Sequence, residues 1–589
     1  MQMTAGADFL LLNSAPEDCF FPEDFTEEHR QIARTAADFM TQEVIPAHDA
    51  IESKNFAVTR QLMRRAGELG LTSIDIPEEY GGLAMDKVAS AIVAEETGSQ
   101  GSFCVIFAAD VGIGTLPIVW YGTPEQKERY LPGLASGGLI GAYALSEASS
   151  GSDALNARTR AVLSEDRAAY MLNGEKMWIT NAGMADLFTV FAKCSVPDTG
   201  EEKLTAFLVE RSTPGLSLGP EEHKLGIHGS STCPLILKDC RIPATNLLGE
   251  VGKGHRIAFN ILNIGRYKLG ATAIGGAKTA LNEAIQYAKD RRAFGKSIAE
   301  FGLIQQKIAT SAADVFACEA LCYRTIGMID RALAEVAGDD TAEIQRRIEE
   351  YAVECSIVKV WASEMLDRLV DEAVQIFAGY GYVEDYPAAR HYRDSRINRI
   401  FEGTNEINRL IISGWVLKSA TSGKLPLMPA IRQVMEDVMA GPSSADTGDG
   451  PLDAELDQLA SAKKIFLFAA GCATQHFAAK LADQQEVMAA LADIIAEIFV
   501  LESTLLRALK VSSKAEDGIA VASARLYAIK AASLVELAAR KVIAASAEGD
   551  ALGTQMTILR RLAKHNPADS IALGRTVAAH MVRAGRYVL

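Results

Sequence analysis

The chain of 589 residues has no GxxxxGK[ST] phosphate loop, no GxGxxG after a strand-like run and no HExxH. The common nucleotide and zinc signatures are therefore absent, and any cofactor must be held another way. Its nine cysteines, at 19, 104, 194, 233, 240, 318, 322, 355 and 472, include no CxxC pair and no Cys/His cluster at metal spacing. No metal site is expected, and free thiols in a reducing compartment are. Basic residues are in deficit, 59 Lys+Arg against 75 Asp+Glu, for a net charge of −16. That balance excludes a general nucleic-acid binder, which needs basic stripes to displace phosphate counterions. No stretch reads as long enough to span a membrane, and the opening "MQMTAGADFLLLNSAPEDCFFPEDF" has neither a basic leader nor more than a short apolar "FLLL". The expected location is the compartment of synthesis: cytoplasmic if bacterial, the mitochondrial matrix side if eukaryotic. No internal repeat of fixed period stands out.

What is present is apolar residue in quantity, 49% against 23% charged, enough for several cores and three or four structural units. After an N-terminal arm, 1–25, apolar residues recur at helical spacing over 26–138. The pattern changes over 139–250 to short β-rich runs such as "LFTVFAKC" and "LTAFLVE", separated by Gly, Asn, Asp and Pro. Helical periodicity returns over 251–415. Residues 416–452 are expected to be a linker, because "AGPSSADTGDGP" at 440–451 is poor in apolar side chains. An additional Ala- and Leu-rich helical domain, 453–589, carries no catalytic motif.

Four stretches carry candidate chemistry. "YALSEASSGSD", 143–153, runs from a strand into a loop of small hydroxyl and glycine residues, where backbone N–H groups can approach a ligand closely. "NGEKMWITNAG", 173–183, places Trp178 before Thr180; a tryptophan there belongs more often to a core than to a cofactor site. "DRRAFGKSIAEFGLIQQKIA", 290–309, puts Arg291 and Phe294 at a helix end, which by itself fits a charged terminus complementing the helix dipole. "VQIFAGYGYVEDYPAARHYRDSRINRIFEGTNEINRL", 374–410, leads through a Gly-rich turn to Glu402 and Gly403. Alone, such a carboxylate is ordinarily solvated.

Together, in this order over about residues 26–415, the four stretches resemble the acyl-CoA dehydrogenase family of flavoenzymes, most closely its very-long-chain branch. The resemblance implies a mainly α fold with a central β domain: an N-terminal helical domain, a β barrel-like middle domain and a C-terminal four-helix domain, here with an extra helical domain appended. It implies FAD as cofactor. Tyr143, Leu145, Ser146, Gly151 and Ser152 would line the flavin and the start of the substrate channel. Trp178 would flank the ring system, with Ile179 and Thr180 beside it, and Thr404 and Glu406 would add cofactor contacts. Arg291 and Phe294 would reach the FAD of a neighbouring subunit, and Gln375, Ile376 and Gly379 its adenine end, so a homodimer or higher homo-oligomer is implied. Ser152, Asn263, Arg266, Phe401 and Gly403 are the substrate-side candidates. The chain departs from the family pattern at Ser146, Ala148, Phe301 and Gly302, which bears on loop rigidity and on adenine contacts.

The implied reaction is α,β-dehydrogenation of a long-chain acyl-CoA to the trans-2-enoyl-CoA in fatty acid β-oxidation, with an electron-transfer flavoprotein as acceptor. An α C–H beside a thioester is a weak acid and needs a positioned base. Glu402 is the candidate, because the position used as base in one branch of the family is here Gly265. Small side chains at Val105, Ala108, Ala109 and Gly112 suit a deep acyl pocket. Competing readings are a scaffold protein on the same fold, an oxidase, or a shorter-chain enzyme. The basic, helically spaced segment 556–589 suggests peripheral membrane contact through the C-terminal domain, the alternative being packing on a partner subunit. Removal of everything after Leu452 is expected to leave turnover largely intact.

Overall fold

A computed structural model describes residues 6–197, 199–336, 340–440, 450–512 and 518–589; most of the 440–451 segment lies outside the described residues. The first unit contains helices α1 (Glu27–Phe39), α2 (Phe56–Glu68), α3 (Lys87–Thr97), α4 (Gly101–Ala108) and α5 (Pro124–Ala135). Each begins where a polar side chain, on Thr26, Asn55, Asp86, Gln100 or Thr123, accepts the backbone N–H three residues on. After α4 the chain widens into a π turn, Ala109–Gly114. Residues 101–121 and 453–483 are long and apolar enough to cross a membrane, contrary to the sequence expectation, but 78% and 56% of their most apolar windows are buried inside the protein. Packing against neighbouring helices accounts for their composition.

The middle unit is one sheet of eight strands: β1 (Gly141–Ala144), β2 (Arg160–Leu163), β3 (Ala169–Thr180), β4 (Leu187–Ser195), β5 (Glu202–Glu210), β6 (Leu216–Leu218), β7 (Thr232–Pro243) and β8 (Leu247–Leu248). Their order is β6-β7-β3-β2-β4-β5-β8, with β1 parallel to β4. The long β3–β7 pair breaks register between Lys176 and Ile179, and that irregularity becomes important at the site.

The second helical unit holds α6 (Gly254–Asp290), α7 (Gly302–Ala334), α8 (Ala352–Phe377), α9 (Pro387–Ser395) and α10 (Asn405–Thr421). Helix α6 lies almost in backbone contact with α3: a Cβ on Gly275 would fall 1.7 Å from the Glu95 carbonyl oxygen. Only glycine permits that approach, and it brings the wall of the first unit against the second.

Two expectations about the C-terminal region need correction. Residues 416–452 are not a plain linker: α10 continues to Thr421, and α11 (Leu427–Ala440) follows. Ile431, Val434 and Val438 share one face of α11 and are buried, the spacing of an amphipathic helix that has found a core. The last domain, α12 (Asp453–Phe477), α13 (Gln485–Ser512), α14 (Ile519–Ser546), α15 (Gly549–Leu562) and α16 (Ser570–Ala584), is also not detachable. Buried Arg324 pairs with Glu502 at 2.7 Å, and Arg507 with Glu319 at 2.6 Å. Lys463 reaches back to the N-terminal arm at Leu12 and Asn13. Cutting after Leu452 would remove Glu502 and Arg507 from these pairs and open the surface around Arg324 and Glu319 to water. The apolar face of α16 is likewise spent within the chain, since Val577, Ala578 and Met581 are buried.

Candidate active site

Between α9 and α10 the chain passes through a 3-10 turn, Arg396–Arg399, and then reverses at Glu402 and Gly403, with φ of +59° and +80°. A left-handed glutamate costs about 1–2 kcal/mol, so the turn persists only if its surroundings hold it. They do. Arg266 Nε donates to the Glu402 carbonyl at 3.3 Å, and Asn408 Nδ2 donates to the carbonyls of Gly403 at 2.9 Å and Thr404 at 3.1 Å. Lys359 Nζ donates to the Gly403 carbonyl at 2.7 Å and to Asn405 Oδ1 at 2.6 Å. The Thr404 hydroxyl accepts the Ile407 N–H and caps α10.

The side chain thrown out by this reversal points at α6. A Cβ built on Gly265 would lie 2.7 Å from Glu402 Oε2 and 3.2 Å from Oε1. Glycine there leaves room for the carboxylate. Oε2 is buried with no hydrogen-bond partner, and burial pushes the carboxyl up to about 7 despite the opposing pull of Arg266 and Lys359. It forms part of the wall of a cavity of about 120 Å³ that opens to solvent. Val105, Ala108, Ala109, Gly112, Phe401 and Thr180 line it as well. Along α6 the lining runs from Gly265 to Gly276, about 16 Å at 1.5 Å per residue. Lys268 also lines it, yet its ammonium is tied to Asp75 at 2.7 Å.

On the sheet side, the register break puts Trp178 at φ +58° with its ring 55% exposed, so it is not a core residue. The same break brings the Met177 N–H to the Ser146 carbonyl at 2.9 Å and joins the two candidate segments. The 146–153 loop is anchored from below: buried Lys176 donates to the Leu145 carbonyl and to Glu147, at 3.1 and 2.7 Å. Gly151 and Ser152 stay exposed, and nothing lies within 4 Å of a Cβ on Gly151. Tyr143 and Leu145 are buried beneath, and Tyr143 feels the Glu402 charge.

Family models match nearly the whole of this architecture: acyl-CoA dehydrogenase N-terminal domain over residues 26–138, middle domain over 142–240, and C-terminal domain over 252–417 and again over 461–561. A probable acyl-CoA dehydrogenase of Bacillus subtilis is 45% identical over 590 residues, covering 99% of this chain and 98% of its own. The chain belongs to the acyl-CoA dehydrogenase family. The crystal structure of an acyl-CoA dehydrogenase complexed with FAD from Bacillus anthracis superposes with a TM-score of 0.96 at 44% identity, over 100% of both chains. The likeness does not single out a branch. The human short-chain specific enzyme is 39% identical over 68% of this chain and 92% of its own, and the bovine very long-chain specific enzyme 37% over 67% and 59%.

Within this acyl-CoA dehydrogenase fold, the sequence candidates divide. Glu402, Phe401 and Thr180 meet at the cavity, while Trp178 and residues 151–153 of the loop are exposed. Asn263 and Arg266 are not among its lining residues: Asn263 accepts from Arg266 at 2.8 Å, and Arg266 braces the turn. Ile179 and Ile376 face the core, at 2% and 4% exposure, because the strand and helix patterns turn them inward; only their backbones can meet a ligand. Thr404 is committed to its cap, and Glu406 is exposed beside it. Gln375 and Gly379 are exposed at the end of α8, Arg291 lies over the Tyr380 ring, and Phe294 is 95% exposed, away from the cavity. Sequence reasoning missed Lys359, Asn405 and Asn408. A single lysine inside the apolar run "CSIVKVWA" was the available signal, since an unpaired charge does not persist in a core.

Proposed function

We propose that the protein oxidises long, straight-chain acyl-CoA thioesters to trans-2-enoyl-CoA, with Glu402 as the base that takes the α-proton. The observation that carries this reading is the unpartnered Glu402 carboxylate on the wall of an apolar cavity, with burial placing its proton affinity near neutrality. Gly265 keeps the carboxylate free to swing toward a bound α-carbon, and the braced turn keeps it from drifting. The surroundings fit FAD: an exposed indole at Trp178, an open glycine and hydroxyl loop at 146–153 and Thr180 at the cavity edge offer a flat apolar face beside polar edges. When bound, FAD supplies the hydride acceptor for the β-carbon. Thr180 and the backbone of the loop would hold it, and Trp178 would shield it from water.

Chain length follows from the cavity. Its reach along α6 and its lining of alanine, valine and glycine suit a long tail, each buried methylene adding about 0.8 kcal/mol. Phe294 and Tyr382 are 95% and 87% accessible, large apolar side chains left in water, which supports a homo-oligomer that covers them. An electron-transfer flavoprotein is the proposed acceptor, in keeping with a dehydrogenase rather than an oxidase. The test is anaerobic bleaching of the purified yellow protein by acyl-CoAs of four to twenty carbons, followed by reoxidation with the flavoprotein or with air. Bleaching that rises with chain length and slow reaction with air are expected. Equal or better bleaching by the four-carbon thioester would overturn the long-chain reading, and fast air oxidation the choice of acceptor.

A further inference from the structure

Lys359 is fully buried on α8, and both acceptors of its ammonium, the Gly403 carbonyl and Asn405 Oδ1, belong to the segment that carries Glu402. Asn405 is itself fixed by α8, its Nδ2 donating to Ser363 at 3.1 Å and to Glu364 at 2.9 Å. From the other side, Arg266 on α6 holds the carbonyl of Glu402. Two cations from two helices thus grip successive carbonyls of a turn whose two residues both have positive φ. A buried lysine in an apolar helix is costly where it is not needed, and an apolar residue of similar volume would pack as well. The cation therefore has a use other than packing.

We propose that Lys359 is a positioning residue for Glu402: it fixes the Gly403 carbonyl so that the carboxylate faces the cavity past Gly265, and its charge favours the ionised, proton-accepting form of that carboxylate. The proposal rests on the reading of Glu402 as base. The charged and titratable groups facing Glu402 are Arg266 from α6, Lys359 from α8 and Tyr143 from β1, while Glu364 and Glu406 act on Lys359 from α8 and α10. Of these, Arg266 and Lys359 pull the carboxyl down against burial; burial also lowers the Lys359 ammonium to about 7, so its charge acts on the acid limb, below that value. Without Lys359 only Arg266 remains, and the carboxyl must bind its proton more tightly.

The experiment compares flavin-loaded wild type, Lys359→Met, Lys359→Gln and Glu402→Gln in single-turnover reduction by a saturating acyl-CoA from about pH 5.5 to 9.5. Both Lys359 variants are expected to retain flavin, to leave the acyl-CoA concentration for half-maximal reduction within about threefold of wild type and to move the acid limb of the reduction rate up by about one pH unit. The loss near pH 6 is then about tenfold and shrinks at high pH. Glutamine, which keeps one donor, serves if the methionine variant does not fold, and its limb must move in the same direction because the charge is gone. A limb that stays in place, with the rate unchanged or lower by the same factor at every pH, overturns the proposal. If Glu402→Gln keeps the wild-type rate, the base assignment itself has failed, a separate outcome visible in the same data.

Discussion

Two buried carboxylates face the same stretch of α6, three residues apart along it, and they are treated in opposite ways. Asp75 is clamped by Lys268 and Lys87 and accepts from the Ser90 hydroxyl. Burial alone would push its carboxyl up, but Lys268 and then Lys87 outweigh it and hold the group well below the usual carboxylate range. Glu402, against Gly265, has Arg266 at its own backbone carbonyl and Lys359 at that of Gly403, and its Oε2 is left without a partner. The same desolvation that is offset at Asp75 is left standing at Glu402. One carboxylate holds the first helical unit to the second; the other, in the proposed reaction, takes a proton. A fully satisfied acid is a structural part, and an acid left without a partner on a cavity wall is a candidate reagent.

The sharpest test of this contrast is exchange of each acid for its amide. Glu402→Gln should lower reductive turnover by about 10²–10⁴-fold while leaving flavin content and acyl-CoA affinity near wild type. Single-turnover bleaching reads it; a loss under tenfold would place the base elsewhere. Asp75→Asn should do the reverse. It leaves Lys87 and Lys268 buried with no counter-charge and should destabilise the fold by about 3–5 kcal/mol, while the fraction still folded retains most of its turnover. If Asp75→Asn unfolds at the wild-type urea midpoint, the clamp is not what joins the units.

The sequence makes this contrast legible only in part. Glu402 can be found because it sits in a stretch with family likeness and beside a glycine that breaks a helix, and the order of helical and β units follows from periodicity. Asp75, in "TSIDIPEEY", carries no such mark. Its partners lie 12 and 193 residues away, and a pairing at that distance is written in the fold and not in local spacing. Gly265 is visible as an absent base, but its steric role needs the position of the carboxylate. Trp178 misleads for a related reason: a tryptophan within a strand reads as core until the register break between Lys176 and Ile179 turns it outward. The 416–452 region misleads through averaging, since a short polar run hides the apolar stripe of α11 just before it.

A smaller step probes the space between the two acids. Gly265→Ala adds one methyl group whose nearest neighbours are the Glu402 carboxylate atoms, at 2.7–3.2 Å. The end of a flexible side chain can yield, so stability should change by less than about 1 kcal/mol. The carboxylate that yields is displaced from its working position, and turnover should fall about tenfold or more, with KM less affected. Asp75 and its clamp should be untouched, so thermal unfolding should match wild type. An alanine enzyme of full activity would show that the carboxylate reaches its substrate by a route Gly265 does not control.

The smallest expected effect is the pH dependence of stability, where the two acids should pull in opposite directions. For Asp75 the folded carboxyl is more acidic than the unfolded one, ordinarily near 3.9. Its contribution is complete above that value and is lost as pH falls through the folded one. For Glu402 the order is inverted: the folded carboxyl titrates near 7 and the unfolded one near 4.3. Between those two values the unfolded chain gives up its proton first and the folded state binds more, so stability must fall as pH rises through the window and then level off. Glu402→Gln has no such proton to lose. The variant should therefore match wild type in urea midpoint near pH 5 and exceed it near pH 8, with water in the cavity keeping the difference modest. In wild type the same ionisation that lowers stability switches the base on, so turnover should rise across the pH interval in which the midpoint falls. A Glu402→Gln midpoint offset from wild type by the same amount at both pH values would mean that the carboxylate is solvated in the folded protein, and the contrast with Asp75 would then be one of geometry without electrostatics.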